Sequence, residues 1–112
     1  MSYKANITIE QGTDYRSIID ITDSNGDPLN LTGYTAAGQF RKSYQSNNSY
    51  SFSLDFVTPR SSGKIQLGLS RTISSNVDAS RYVYDIELTD PTDVRTRLME
   101  GILTITPEVT KA

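Results

Sequence analysis

Asp78-Ala79-Ser80-Arg81-Tyr82-Val83-Tyr84-Asp85-Ile86-Glu87-Leu88, then Asp90-Pro91-Thr92-Asp93 and residues 94–110, is the stretch that decides the fold. Tyr82, Tyr84, Ile86 and Leu88 alternate with Val83, Asp85, Glu87 and Thr89, the period of two that lines one face of a strand with apolar side chains. The Asp-Pro-Thr-Asp segment is turn chemistry, so the chain is expected to fold back into a second, longer strand. In that second strand Leu98 cannot share a face with Leu103 and Ile105 unless the ladder gains one residue. Gly101, after Glu100, is the expected position of such a β-bulge, because glycine tolerates the backbone conformation a bulge demands.

The same period recurs outward from this hairpin. Residues 6–10 and 15–23 read as two strands around Gln11-Gly12-Thr13, and Asn25-Gly26 followed by Pro28 closes the second of them. Residues 34–42 place Tyr34, Ala36, Gly38 and Phe40 on one face, small residues that predict a close approach between layers. Residues 43–51 are polar and aperiodic, the expected hairpin tip and the best candidate for disorder. Phe52, Leu54 and Phe56 form one alternating run and Ile65, Leu67 and Leu69 another, separated by a turn at residues 59–63. Residues 70–80 lack alternation and predict a crossover between sheets with one helical turn.

Seven strands at this spacing predict an all-β fold, an immunoglobulin-like Greek-key β-sandwich formed by residues 1–112 as a single domain. The pattern leaves the partition into sheets open. The Asp78-x-Ser80-x-Tyr82 entry looks like the tyrosine corner of such sandwiches. Tyr82 is therefore expected to bond backbone through its hydroxyl, and Tyr84 to lie in the core.

Composition narrows the function. Hydrophobic residues make up 36% of the 112, below the roughly 45–50% apolar content of average domains, so many positions must face water or a partner. A net charge of -2 is not the basic balance of a phosphate-backbone binder, which argues against nucleic acid. There is no Cys, which excludes a disulfide frame, a thiolate nucleophile and a Cys-based zinc site. There is no His either, which removes the commonest general base near neutral pH and every Ser-His or Cys-His arrangement. No enzymatic activity and no cofactor are expected. No apolar run approaches the ~18 residues of a membrane span, and Met1-Ser2-Tyr3-Lys4-Ala5-Asn6 lacks the apolar centre of a secretion signal. Neither membrane nor nucleic acid is expected as a partner.

Three constellations invite a chemical reading. Asp23-x-Asn25-x-Asp27 resembles the first half of an acidic calcium loop, but Leu29 stands where the next oxygen ligand would fall and no bidentate Glu closes it. A β-turn is the simpler account, and no metal site is expected. Asp85 and Glu87 lie two apart on the outward face of a strand, without the apolar surroundings that split the pKa values of an acid/base pair. Arg41, Lys42, Arg81, Arg95, Arg97 and Lys111 interleave with Asp85, Glu87 and Glu100, which predicts cross-strand ion pairs rather than a basic patch. Among the aromatic residues, Tyr3, Tyr44 and Tyr50 fall near chain ends and loop tips and are candidate interface anchors, with Val109 in the extended C-terminal segment. Asn-x-Ser/Thr triplets begin at Asn6, Asn30 and Asn47, as expected by chance in a chain rich in these residues.

Two blocks resemble a family of small virion structural proteins of tailed bacteriophages, of the T4-like cyanophage type. One is Asn25-Gly26-Asp27-Pro28-Leu29-Asn30-Leu31-Thr32-Gly33-Tyr34-Thr35; the other joins Arg81-Tyr82-Val83-Tyr84-Asp85-Ile86-Glu87-Leu88 to Glu100-Gly101-Ile102-Leu103-Thr104-Ile105-Thr106-Pro107-Glu108-Val109-Thr110. The opening Ile7-Thr8-Ile9-Glu10-Gln11-Gly12-Thr13-Asp14-Tyr15 is similar to the first strands of the immunoglobulin-like domain at the N-terminus of siphophage upper-baseplate proteins. The resemblance implies a non-enzymatic building block of the virion, in the tail, baseplate or neck, or a capsid decoration protein. It implies other virion proteins as partners and several copies per particle, as a homo-oligomer or an array. The competing expectation is a receptor- or carbohydrate-binding module that uses residues 44–50.

Overall fold

The computed structural model describes residues 3–110, the side chain of Tyr3 excepted. Its strands are β1 (Tyr3–Lys4), β2 (Ile7–Glu10), β3 (Tyr15–Asp20), β4 (Thr35–Arg41), β5 (Tyr50–Ser51), β6 (Ser53–Phe56), β7 (Lys64–Leu69), β8 (Ser80–Thr89) and β9 (Arg95–Thr106). The helical part is one turn, α1 (Arg71–Ser74), and a short 3-10 segment, Arg60–Ser62. The fold is the immunoglobulin-like sandwich that the alternation predicts. One sheet runs β1-β9-β8-β4-β5, with β2 also on β9; the other runs β3-β7-β6.

β8 is the middle of the larger sheet and supplies its inward row. Tyr82, Tyr84, Ile86 and Leu88 are all buried, and each such side chain contributes roughly 1.5–3 kcal/mol of apolar burial. Across the gap they meet Ile19, Ile65, Leu67 and Leu69 of the smaller sheet. The Tyr82 hydroxyl donates to the Asp78 carbonyl at 2.7 Å, the geometry of a tyrosine corner. Burial, with Tyr50 and Asp78 nearby, holds the Tyr82 phenol above its usual pKa, so it stays a donor.

The bulge in β9 lies elsewhere than expected. Ile86 pairs with Met99 but Glu87 pairs with Arg97, so Leu98 is the extra residue. Leu98 and Met99 consequently both point inward and both are buried. Gly101 sits in regular ladder opposite Tyr84, at an inward position that no side chain fills. Its role is space: a Cβ there would lie 2.0 Å from the Ala5 carbonyl oxygen. At that point the N-terminal segment crosses β9. The Tyr84 hydroxyl donates to the same Ala5 oxygen, Ala5 N–H donates to Glu100 (3.0 Å), and Ile102 N–H donates to Asn6 Oδ1 (3.2 Å).

Other expectations shift at their ends. The strand expected over 15–23 stops at Asp20, and Thr22 forms an isolated bridge with Pro28. The strand expected over 34–42 is trimmed to Thr35–Arg41, and the last strand runs Arg95–Thr106 instead of reaching residue 110. The aperiodic tip is shorter than expected, because Tyr50 and Ser51 pair with β4 before the chain crosses at Phe52 into the smaller sheet. The crossover at 70–80 does carry its single helical turn. Ser74 Oγ donates to Thr13 (2.8 Å) and Gln11 Nε2 donates to Val77 (2.8 Å), tying this crossover to the turn between β2 and β3.

Both acidic turns are closed by their own carboxylates. Asp23 Oδ1 accepts from Asn25 N–H (2.9 Å) and Asp27 N–H (3.0 Å), which uses the supposed calcium ligand as a turn cap. Asp90 Oδ1 accepts from the Thr92 hydroxyl and from the Thr92 and Val94 N–H groups at 2.7 to 2.9 Å, with Asp93 at a left-handed φ of 68°. These bonds, that of the Thr92 hydroxyl foremost, hold the Asp90 pKa below its ordinary value.

Two outcomes follow. Gly101→Ala should lower unfolding stability by about 1–3 kcal/mol in urea titrations, as overpacking does, and speed amide exchange at Ala5 and Ile102. For Asp90, whose folded pKa lies below its unfolded one, the stabilisation is present above the unfolded value near 3.8 and vanishes as pH falls through the folded value. Asp90→Ala should therefore flatten the fall in melting temperature seen on acidification through that range.

Candidate interaction surface

The outward side chains of β4, β8 and β9 form a continuous face whose rows follow from the register. Gln39, Asp85 and Glu100 lie in one row, Ala37, Glu87 and Arg97 in the next, and Arg41, Val83 and Ile102 in a third. The Leu98 bulge places Arg97 and Glu100 on this face three positions apart. Arg97 then reaches both Asp85 (3.5 Å) and Glu100 (3.6 Å) with about half of its side chain exposed. Of the expected cross-strand ion pairs, the described residues show Arg97–Asp85, while Arg97–Glu100 lies within β9; at this exposure each contributes at most about 1 kcal/mol.

Arg41 anchors the loop that follows β4. Its guanidinium donates to Ser46 (2.7 Å) and to Gln39 Oε1 (3.0 Å), which holds residues 43–49 against the sheet face. Tyr44 stands 75% exposed on this loop. It forms one wall of a shallow groove of about 470 Å³, with Gln39, Arg41, Val83, Tyr84, Asp85, Glu87 and Arg97 as the rest of the lining. An aromatic ring beside two guanidinium groups, with Val83 as an apolar element of the lining, is the composition of protein-binding surfaces.

The candidate interface residues do not come together. Tyr44 lies on this face. Tyr50 turns inward instead, half-buried and stacked on Phe40 at 5.0 Å between ring centres, because β5 continues the sheet where an exposed tip was expected. Val109 is almost fully exposed beyond the end of β9, near the turn between β2 and β3. The Tyr3 side chain lies outside the described residues, as does Lys111 of the interleaved charges. The groove itself escaped the sequence because its walls come from three strands and a loop. Its one legible trace is Leu98-Met99, adjacent apolar residues where the alternation breaks.

No family model matches this chain, and no curated protein does. Solved structures do. A structure of the SrpA adhesin of Streptococcus sanguinis superposes with a TM-score of 0.54 at 10% identity, covering 91% of this chain and 55% of that one. The chain thus spans about half the length of that adhesin chain. A second, from a photo-crosslinking analysis of multimeric cell-adhesive interactions of VGSC β subunits, gives a TM-score of 0.50 at 10% identity over 96% of this chain and 93% of that one. At such identity the likeness concerns the fold, and the fold is that of an immunoglobulin-like domain.

The two loop-region tyrosines should separate in stability measurements. Tyr44→Ala should leave the unfolding free energy within about 0.5 kcal/mol of the parent, as exposed substitutions do, whereas Tyr50→Ala should cost about 2–4 kcal/mol by stripping a ring from the core. Chemical denaturation of both variants checks this.

Proposed function

We propose that this chain is a non-enzymatic structural component of a tailed-phage virion, joined to its neighbours through protein contacts in the tail, baseplate or neck, with capsid decoration as the close variant. The resemblance in the blocks at residues 7–15, 25–35, 81–88 and 100–110 suggests the particle. The observation that carries the mode of assembly is Tyr44, 75% exposed beside Arg41 and Arg97 in the groove on the larger sheet. Tyr and Arg are the residues that most often dominate binding energy, and here Arg97 stands on β9 while the Arg41 bond to Ser46 ties the Tyr44 loop to the sheet. A non-enzymatic role also fits the chemistry available. Asp85 is engaged by Arg97, and Glu87 shares an open, polar groove with it, without the apolar enclosure in which an acid/base pair works.

The groove also favours a second reading. Tyr44 offers a flat ring beside Gln39, Asp85 and Arg97, the aromatic platform and convergent polar groups of a receptor- or carbohydrate-binding module. The experiment that tests the first reading is mass spectrometry and immunogold labelling of gradient-purified particles from cells that produce the phage encoding this chain. Several copies per particle are expected, and absence from the particle overturns the reading. Tyr44→Ala combined with Arg97→Ala should reduce incorporation while leaving the fold intact. Normal incorporation with lost cell adsorption or glycan-array binding would select the second reading.

A further inference from the structure

β3 is the outer strand of the smaller sheet, and among the described residues no strand pairs with its other edge. Two bonds fix the parity of its backbone. Ile21 N–H donates to Gly63 (2.7 Å), and Val57 N–H donates to Lys64 (3.0 Å). Lys64, the register partner of Asp20, thus turns its backbone towards β6. The odd-numbered residues of β3 therefore bond to β7, while Arg16, Ile18 and Asp20 aim their N–H and C=O groups at the open edge. Their side chains share the outer face and all three are exposed, Ile18 by 48%. The other outer strands are shorter: four residues in β2 and β6, two in β5. Sheet edges are ordinarily guarded by charged side chains, Pro or a bulge; β3 has no Lys, Pro or bulge, and its two charges, Arg16 and Asp20, are of opposite sign and so can complement a second copy.

We infer that β3 is a self-pairing edge whose occupant is β3 of a second copy, antiparallel about a two-fold axis through Ile18. In that register Ile18 lies against Ile18 of the second copy, Arg16 opposite its Asp20, and Asp20 opposite its Arg16. An isologous contact needs this self-complementarity. Moving the axis to Ser17 would set Asp20 against Asp14, and moving it to Ile19 would set Ile18 against Asp20, so charge selects the register. Arg16 is ready for the role, since its register partner within the sheet is Gly68, which offers no side chain. Asp20 already pairs with Lys64, so Arg16 of the second copy completes a row of alternating charge. The three residues make about six backbone hydrogen bonds across the axis, two per bonded pair. The product is a continuous sheet, β6-β7-β3-β3-β7-β6. Contacts of this size belong to the weak class of interface, so the dimer is concentration-dependent. The inference is independent of the virion reading and uses the layer opposite the Tyr44 groove.

Sedimentation velocity of the full chain over a concentration series tests it. The parent should pass from monomer to dimer as concentration rises. Arg16→Asp makes both opposed pairs acidic and Asp20→Arg makes both basic, so each variant alone should dimerise at least tenfold more weakly. An equimolar mixture should dimerise again, because an all-acidic edge then meets an all-basic one. Ile18→Lys, on the same solvent face, should also abolish the dimer, and circular dichroism of each variant checks folding. The inference is overturned if the parent stays monomeric throughout, if the single variants dimerise as the parent does, or if folded variants fail to restore each other on mixing.

Discussion

The contact on which the structure depends is the ring cluster around Phe40. Phe40 stacks on Tyr50, leans on Phe52 at 5.1 Å and meets the edge of Tyr82 at 5.4 Å, while Phe52 meets Tyr84 at 6.0 Å. These rings come from β4, from β8 and from the point where the chain leaves one sheet for the other. A sandwich without cysteine has no covalent tie between layers, so cohesion must come from such burial. Each ring pair adds about 0.5–1.5 kcal/mol beyond its buried area. Gly38 eases this arrangement: Phe52 N–H donates to its carbonyl (3.0 Å), and a Cβ at residue 38 would stand 3.1 Å from the Ile86 side chain and 3.3 Å from the Phe52 ring.

Much of this was legible in the sequence, because strand alternation is a local property and burial follows from it. The inward rows of β4, β7 and β8, the helical turn at Arg71–Ser74 and the Tyr82 corner could all be read from spacing. What escaped reading depends on pairs distant in the chain. The parity argument correctly demanded one extra residue in β9, yet glycine's conformational tolerance pointed to Gly101. The bulge falls at Leu98, because two adjacent apolar residues there can both be buried. Gly101 answers to a different constraint, the Ala5 carbonyl nearly a hundred residues earlier, which no local pattern announces. Tyr50 misled for the same reason, since its neighbours in sequence are polar while its neighbours in space are Phe40 and Tyr82.

The bulge links fold to surface. In an unbroken ladder Leu98 would displace its neighbours to the wrong faces; with the extra residue, Leu98 and Met99 fill the core and Arg97 and Glu100 flank Asp85 outside. A single insertion thus serves packing and builds the charged wall of the Tyr44 groove. The exposed ion pairs of the groove can exchange partners at little cost, because in water each contributes so little.

The two surfaces lie on different layers, and this arrangement has a thermodynamic consequence. A contact through the β4-β8-β9 face leaves the β3 edge open, and pairing through β3 leaves the groove open. Each contact is weak when taken alone. Copies held by one surface on a common support, however, present the second at an effective concentration set by their spacing, and avidity can then exceed either affinity by roughly 10²–10⁴ without any new contact. On the proposed reading, a small domain of modest apolar content fits that regime, since neither surface is a large apolar patch.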